Sequence, residues 1–262
     1  MKIGIVGLGL IGGSIFKSLK KLDYEIVAVS NSMQGILPNI TNDYDTLKGC
    51  DVVFVCTAMN KTLKILDILE NILSPETIVC DVCSLKSFVC QKQRPYVFIP
   101  SHPMAGTELR GFENSFEDLF KGAKWVITPI NNEKDFANDK NFKTIEQLIT
   151  QMGAKIVVTT PAKHDEAVAL ISHMPMVVSQ ALFLTASDNP LAMEIAASGF
   201  RDMTRLAMSN EEMASDMVNL NSENIQNSIL KLYKSLGELT AKDYTQTISK
   251  IKAERQKMFV KK

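Results

Sequence analysis

The chain opens Lys2-Ile3-Gly4-Ile5-Val6-Gly7-Leu8-Gly9-Leu10-Ile11-Gly12-Gly13-Ser14, and the reading of this run decides the fold. Lys2 to Val6 reads as a buried strand. Ile15, Phe16, Leu19 and Leu22 come next, at the three- and four-residue spacing of a helix. Between them lies Gly-x-Gly-x-x-Gly, in the strand–turn–helix context that a dinucleotide-binding turn requires. Gly7 permits the tight turn, Gly9 lets the backbone approach a pyrophosphate, and Gly12 lets the helix pack closely on the strand. The backbone from Gly7 through Leu8, Leu10 and Ile11 to Gly12 then offers the phosphates a helix start with unpaired N–H groups and a positive dipole end. A glycine-rich turn without a ligand is the alternative.

Working outward, the next strand is expected at residues 25–29, and its end bears on the cofactor. An acid about 20 residues past the glycines would hold the ribose hydroxyls of NAD. This chain has Ser30-Asn31-Ser32 there, with neither a carboxylate to repel a 2′-phosphate nor an arginine to attract one. The cofactor is therefore written NAD(P), with a slight lean to NADP. Residues 51–57 read as the fourth strand, which places Thr57 on the carboxyl edge toward the nicotinamide. Helices are expected at 63–73 and 142–152, strands at 77–82, 124–129 and 154–159, and a loop at 131–141. This alternation predicts an α/β dinucleotide-binding (Rossmann) domain over residues 1–160.

Ser84 lies just past the 77–82 strand, where its hydroxyl can meet a neighbouring side chain or the nicotinamide, or simply cap the next helix. An apolar run at 97–99 leads into Ser101-His102-Pro103-Met104-Ala105-Gly106-Thr107-Glu108, which holds one of only three histidines. Imidazole titrates near neutral pH, so His102 is either a poised proton acceptor or a structural histidine.

Composition bounds the rest. The 262 residues are 45% hydrophobic and 22% charged, with Lys+Arg and Asp+Glu both at 29, so no net charge draws the chain to nucleic acid or anionic lipid. The opening strand lacks the apolar core and cleavage site of a signal peptide, and no apolar run is expected to reach the ~18 residues of a membrane span. Five cysteines, an odd number, suit a reducing compartment, and a cytoplasmic location is expected. Cys80 and Cys83 form a Cys-x-x-Cys pair without the second pair a zinc site needs, and buried packing is the expected role.

After Pro161 strand-like runs disappear, and residues 161–262 are expected to form a helical substrate-binding and dimerisation domain. His164 and His173 are nine apart, about 180° out of phase on a regular helix, so they cannot share a metal and none is expected. Pro175 is expected to kink its helix. The turn 197–205 carries Arg201 and Arg205, suited either to bidentate carboxylate binding or to a surface ion pair with Asp202.

Together these stretches resemble the prephenate and arogenate dehydrogenases of tyrosine biosynthesis, over nearly the whole chain. The resemblance rests on residues 7–14, the Ser84/Lys86 turn, residues 101–108, Ile-Ser-His-Met-Pro at 171–175 and Ser-Gly-Phe-Arg-Asp-Met-Thr-Arg at 198–205. It implies that His102 accepts the proton of the substrate's ring hydroxyl, that Ser84 assists, and that Arg205 binds the ring carboxylate. Glu108 and Asp202 match residues of the pocket's ionic network, and His173 matches the histidine before the helical proline. Prephenate is the expected substrate and a homodimer the expected assembly. Two departures, Met176 where many prephenate-using relatives carry a second histidine and Ser198 where they often carry glycine, lean toward the arogenate-using, NADP-linked branch. A β-hydroxyacid or imine reductase, or a non-catalytic dinucleotide-binding module, would share the glycine turn but not the His102 and Arg205 motifs. No linker to a further ligand-sensing domain is read.

Overall fold

The computed structural model describes residues 1–36, 38–107, 109–129, 136, 138–241 and 244–259. Six parallel strands form one sheet: β1 (Lys2–Val6), β2 (Glu25–Val29), β3 (Ile40–Thr41), β4 (Val52–Val55), β5 (Ile78–Asp81) and β6 (Val97–Phe98), in the order β3-β2-β1-β4-β5-β6. These are the near-continuous apolar runs expected of strands covered on both faces. Side chains alternate between two cores. Ile3, Ile5 and Phe54 face α1 (Leu10–Lys21) and α3 (Lys140–Gln151), while Val6, Val53, Val55 and Val79 face α2 (Met59–Leu69). The α2 helix begins one turn before the expected 63–73, and residues 70–73 form turns.

The register puts function on one edge. Val6 lies opposite both Val29 and Val55, and Val55 opposite Asp81, so β1, β2, β4 and β5 end level with one another. Gly7, Ser30, Thr57 and Ser84 all come just after those ends, on the carboxyl side where doubly wound sheets bind ligands.

Residues 97–104 do not end at that edge as a simple strand. The Ile99 N–H still donates to Val79 O at 2.9 Å, and after Pro100 the chain enters β7 (Ser101–Met104). β7 pairs antiparallel with β8 (Lys124–Ile127), which pairs parallel with β9 (Lys155–Val158), making a second three-stranded sheet. Fully buried Trp125 joins the two sheets, its ring edge-on to Phe54 at 6.3 Å. A buried ion pair fixes the crossing: Lys86 Nζ donates to Asp81 Oδ2 and to the Ser101 carbonyl at 2.6 Å.

The remainder is helical: α4 (Pro161–Val168), α5 (Met174–Ser187), α6 (Pro190–Glu194), α7 (Ser198–Met203), α8 (Glu211–Leu220), α9 (Ser222–Ala241) and α10 (Tyr244–Phe259). The Thr160 side chain caps α4, and Pro161 takes its first turn. A π turn, Ala169–His173, joins α4 to α5 without a break and ends just before Pro175. Contrary to the sequence expectation, Pro161–Ser187 is long and apolar enough to cross a membrane by length and composition. It carries buried His164, Asp165 and His173 and packs against α9.

Candidate active site

The glycine turn has the shape a dinucleotide needs. Gly7 sits at φ +91°, a left-handed conformation, and a Cβ there would meet the Cys56 carbonyl oxygen at 2.6 Å. A Cβ on Gly12 would stand 2.0 Å from the Gly7 carbonyl oxygen, so helix and turn pack too closely for any side chain. On Gly9 it would meet nothing within 4 Å, which leaves the backbone open to approach. No side chain caps α1 at Gly9 and no acid occupies its first turn. An uncapped helix start facing open space fits a pyrophosphate. Thr57 stands against this turn, its Oγ1 3.2 Å from Thr62 Oγ1. At the β2 end Ser30 is buried, its N–H donating to Thr41 O at 2.8 Å, and Asn31 is exposed.

His102 is the second residue of β7, opposite Val126, and therefore lies within a strand rather than after one. It is half-buried, with Nδ1 3.0 Å from His164 Nε2 and no partner for its own Nε2 among the described residues. Burial pushes its imidazole well below the ordinary histidine range. His164, Lys86 and His173 push the same way, and Asp165 opposes them. The resting ring is thus neutral at neutral pH.

Behind it stands a buried chain of contacts that the sequence did not announce. His164 Nδ1 lies 2.8 Å from Asp165 Oδ1. Asp165 also accepts from the backbone N–H of Lys86 and of Ser87, each at 2.8 Å. Burial opposes the charge on Asp165, but the His164 and Ser87 hydrogen bonds and the Lys86 N–H outweigh it and hold the carboxyl below its usual range. Asn221 Nδ2 donates to the Asp165 carbonyl at 3.0 Å and to His173 Nδ1 at 3.1 Å. His173 therefore carries its hydrogen on Nε2, a buried donor without a partner among the described residues. Burial pushes the His173 pKa down to about 4.

The expectation that His164 and His173 face opposite ways fails, because the segment is not a regular helix. The π turn holds back the rotation, and both rings are buried and linked through Asp165 and Asn221.

The other expected residues are placed less centrally. The Ser84 hydroxyl is half-buried and makes no hydrogen bond to His102, whose Nδ1 faces His164 instead. Arg205 is exposed and unpaired among the described residues, at the start of a turn that packs on α5. The surface ion pair with Asp202 goes to Arg201, at 3.6 Å. Asp202 is exposed, and Glu108 lies outside the described residues. All five cysteines are free; Cys80 and Cys83 are buried, and burial pushes the Cys83 thiol up to about 12.

A dinucleotide sheet with an open glycine turn, a histidine on the adjoining three-stranded sheet and a helical second half defines an NAD(P)-dependent dehydrogenase. Residues 19–158 match the nucleotide-binding domain of prephenate dehydrogenase, and residues 160–254 match its dimerization domain. The chain belongs to the prephenate dehydrogenase family. Prephenate dehydrogenase of Bacillus subtilis (strain 168) is 31% identical over 242 residues, a match covering 84% of this chain and 64% of that longer protein. Synechocystis arogenate dehydrogenase has a crystal structure with TM-score 0.79 and 32% identity, covering 98% of this chain and 97% of that one. Prephenate dehydrogenase from A. aeolicus, in complex with hydroxyphenyl propionate and NAD+, has TM-score 0.86 and 26% identity, with 98% of each chain covered.

Proposed function

We propose that this chain converts prephenate to 4-hydroxyphenylpyruvate by oxidative decarboxylation with NAD(P)+. The observation that carries the reading is His102, an imidazole next to Ser101, which is tied to the end of β5, with one ring nitrogen held and the other without a partner among the described residues. The bound nicotinamide supplies the acceptor for the hydride that leaves the hydroxyl-bearing ring carbon. His102 Nε2 takes the proton of the ring hydroxyl. The C–C bond to the ring carboxylate breaks, CO2 leaves, and the freed electron pair completes the aromatic ring. The resulting phenolate oxygen takes its proton back from His102, which ends as it began.

Arg205 is assigned to the ring carboxylate; its guanidinium has no competing partner among the described residues. Ser84 is assigned to the substrate hydroxyl, His173 to the substrate pocket, and Glu108 and Asp202 to the pocket's ionic network. Gly7, Leu8, Gly9, Leu10, Ile11 and Gly12 hold the pyrophosphate, Ser30 and Asn31 the ribose, and Thr57 the nicotinamide side. NADP is slightly favoured, because no carboxylate stands at Ser30. We divide the chain at Pro161, and place the homodimer contact on the helical half, where Leu230, Tyr233, Leu236, Ile248 and Ile251 are exposed. A cytoplasmic location with no nucleic-acid or membrane partner completes the reading.

A second reading, arogenate with NADP, is favoured by Met176, which is buried in the first turn of α5 and offers no polar contact to a substrate side chain. The test is NAD(P)H absorbance on adding prephenate or arogenate with either cofactor. A rise with prephenate supports the main reading, and a rise with arogenate alone supports the second. No change in all four combinations overturns both.

A further inference from the structure

We infer that His164 and Asp165 are positioning residues that decide which ring nitrogen of His102 carries its hydrogen, leaving the other as the base. This rests on the reading of His102 as proton acceptor. The direction comes from donor counting. Asp165 accepts from two backbone N–H groups, of Lys86 and Ser87, and from His164 Nδ1, all at 2.8 Å. A carboxylate surrounded by donors stays ionised and has no hydrogen to give. His164 therefore carries its hydrogen on Nδ1 and presents a bare Nε2. That nitrogen lies 3.0 Å from His102 Nδ1, so the hydrogen between the two rings belongs to His102. A neutral imidazole has one ring hydrogen, so the lone pair of His102 sits on Nε2, which has no partner among the described residues.

The arrangement also gives the charged form one hydrogen-bond partner against the burial that disfavours it. When Nε2 takes a proton, the Nδ1–H bond to His164 becomes charge-assisted, with the Asp165 carboxylate at its far end. The logic parallels the aspartate that holds a catalytic histidine in its working tautomer in serine hydrolases, with a second histidine interposed. His164 and Asp165 are both buried, so the chain is shielded from water that could scramble it. It also spans the junction of the two halves: Lys86 and Ser87 come after β5, His102 lies on β7, and His164 and Asp165 lie on α4.

With only three histidines, the tautomer can be read directly. Ring-nitrogen NMR on the 15N-histidine-labelled protein at pH 7.5, with His102→Asn for assignment, is expected to show His102 protonated on Nδ1 and bare on Nε2. Protonation on Nε2 overturns the inference whatever the variants do.

The kinetic arm compares His164→Leu with His164→Gln, whose amide oxygen can restore an acceptor near the lost Nε2. The leucine variant is expected to lower kcat roughly 10²-fold, within the range of general-base contributions. It should also displace the acidic limb of the kcat/KM profile, because His164 bears directly on the charged form of His102. The groups facing His102 here are His164, Asp165, Lys86 and His173. The glutamine variant should restore both. If His102→Asn removes turnover while His164→Leu matches wild type in kcat and pH limb, this inference fails alone. If His102→Asn turns over normally, the reading beneath it fails.

Discussion

Lys86→Met strikes the joint that carries His102. Lys86 and Asp81 are both fully buried, and Lys86 Nζ bridges the end of β5 to the carbonyl of Ser101, the residue before His102. Methionine matches the length of the lysine but leaves the Asp81 carboxylate, among the described residues, with the N–H groups of Cys83 at 3.0 Å and Ser101 at 3.2 Å. Breaking one side of a buried ion pair costs about 3–5 kcal/mol. Against a total stability of about 5–15 kcal/mol that is a large fraction. At about 2–4 °C per kcal/mol for a domain of this size, the midpoint of thermal unfolding should fall by roughly 6–20 °C. Adding Asp81→Asn removes the stranded charge, so the double variant should melt above Lys86→Met alone. Circular-dichroism melts of wild type, both single variants and the double variant close the cycle. A single variant melting within about 2 °C of wild type, or a double variant whose losses simply add, refutes the reasoning.

Arg205→Ala should raise KM for substrate roughly 10- to 150-fold, the worth of a charge-assisted hydrogen bond, with little change in kcat or melting temperature because the side chain is exposed and unpaired among the described residues. An unmoved KM would place the ring carboxylate elsewhere. His173 gives a pH dependence of stability. Its folded pKa of about 4 lies below the ordinary 6.5, so the unfolded chain binds the extra proton first. Stability should therefore be intact above about pH 6.5 and fall by about 3 kcal/mol as pH drops toward 4. Urea melts should show a steeper decline for wild type than for His173→Gln across that range; parallel curves would mean that His173 does not titrate this way.

The glycine turn and the parallel sheet are legible in the sequence because they rest on local rules: apolar strands, a positive-φ glycine and a helix that must start against Gly7. His102 and Arg205 stand out through their motifs. The hidden features come from contacts across the chain. Pro100 lets residues 101–104 leave the first sheet for the second, so His102 lies within a strand. The partners of the His-Asp pair at 164–165 are hidden, since nothing local says that the Lys86 and Ser87 N–H groups will meet it. Phase counting misleads on His164 and His173, because a π turn carries no composition signal and changes the rotation by less than a turn. Shared position on the carboxyl edge suggests a contact from Ser84 to His102, but position along an edge does not fix which side chains meet, and the partner His102 finds is His164 from α4.

The central claim is that His102 is the base of an NAD(P)-dependent oxidation. Steady-state turnover of His102→Asn, measured beside its cofactor Kd, tests it most directly. The account predicts kcat lower by roughly 10²- to 10⁴-fold with cofactor affinity unchanged. A variant that binds cofactor and turns over like wild type would contradict it.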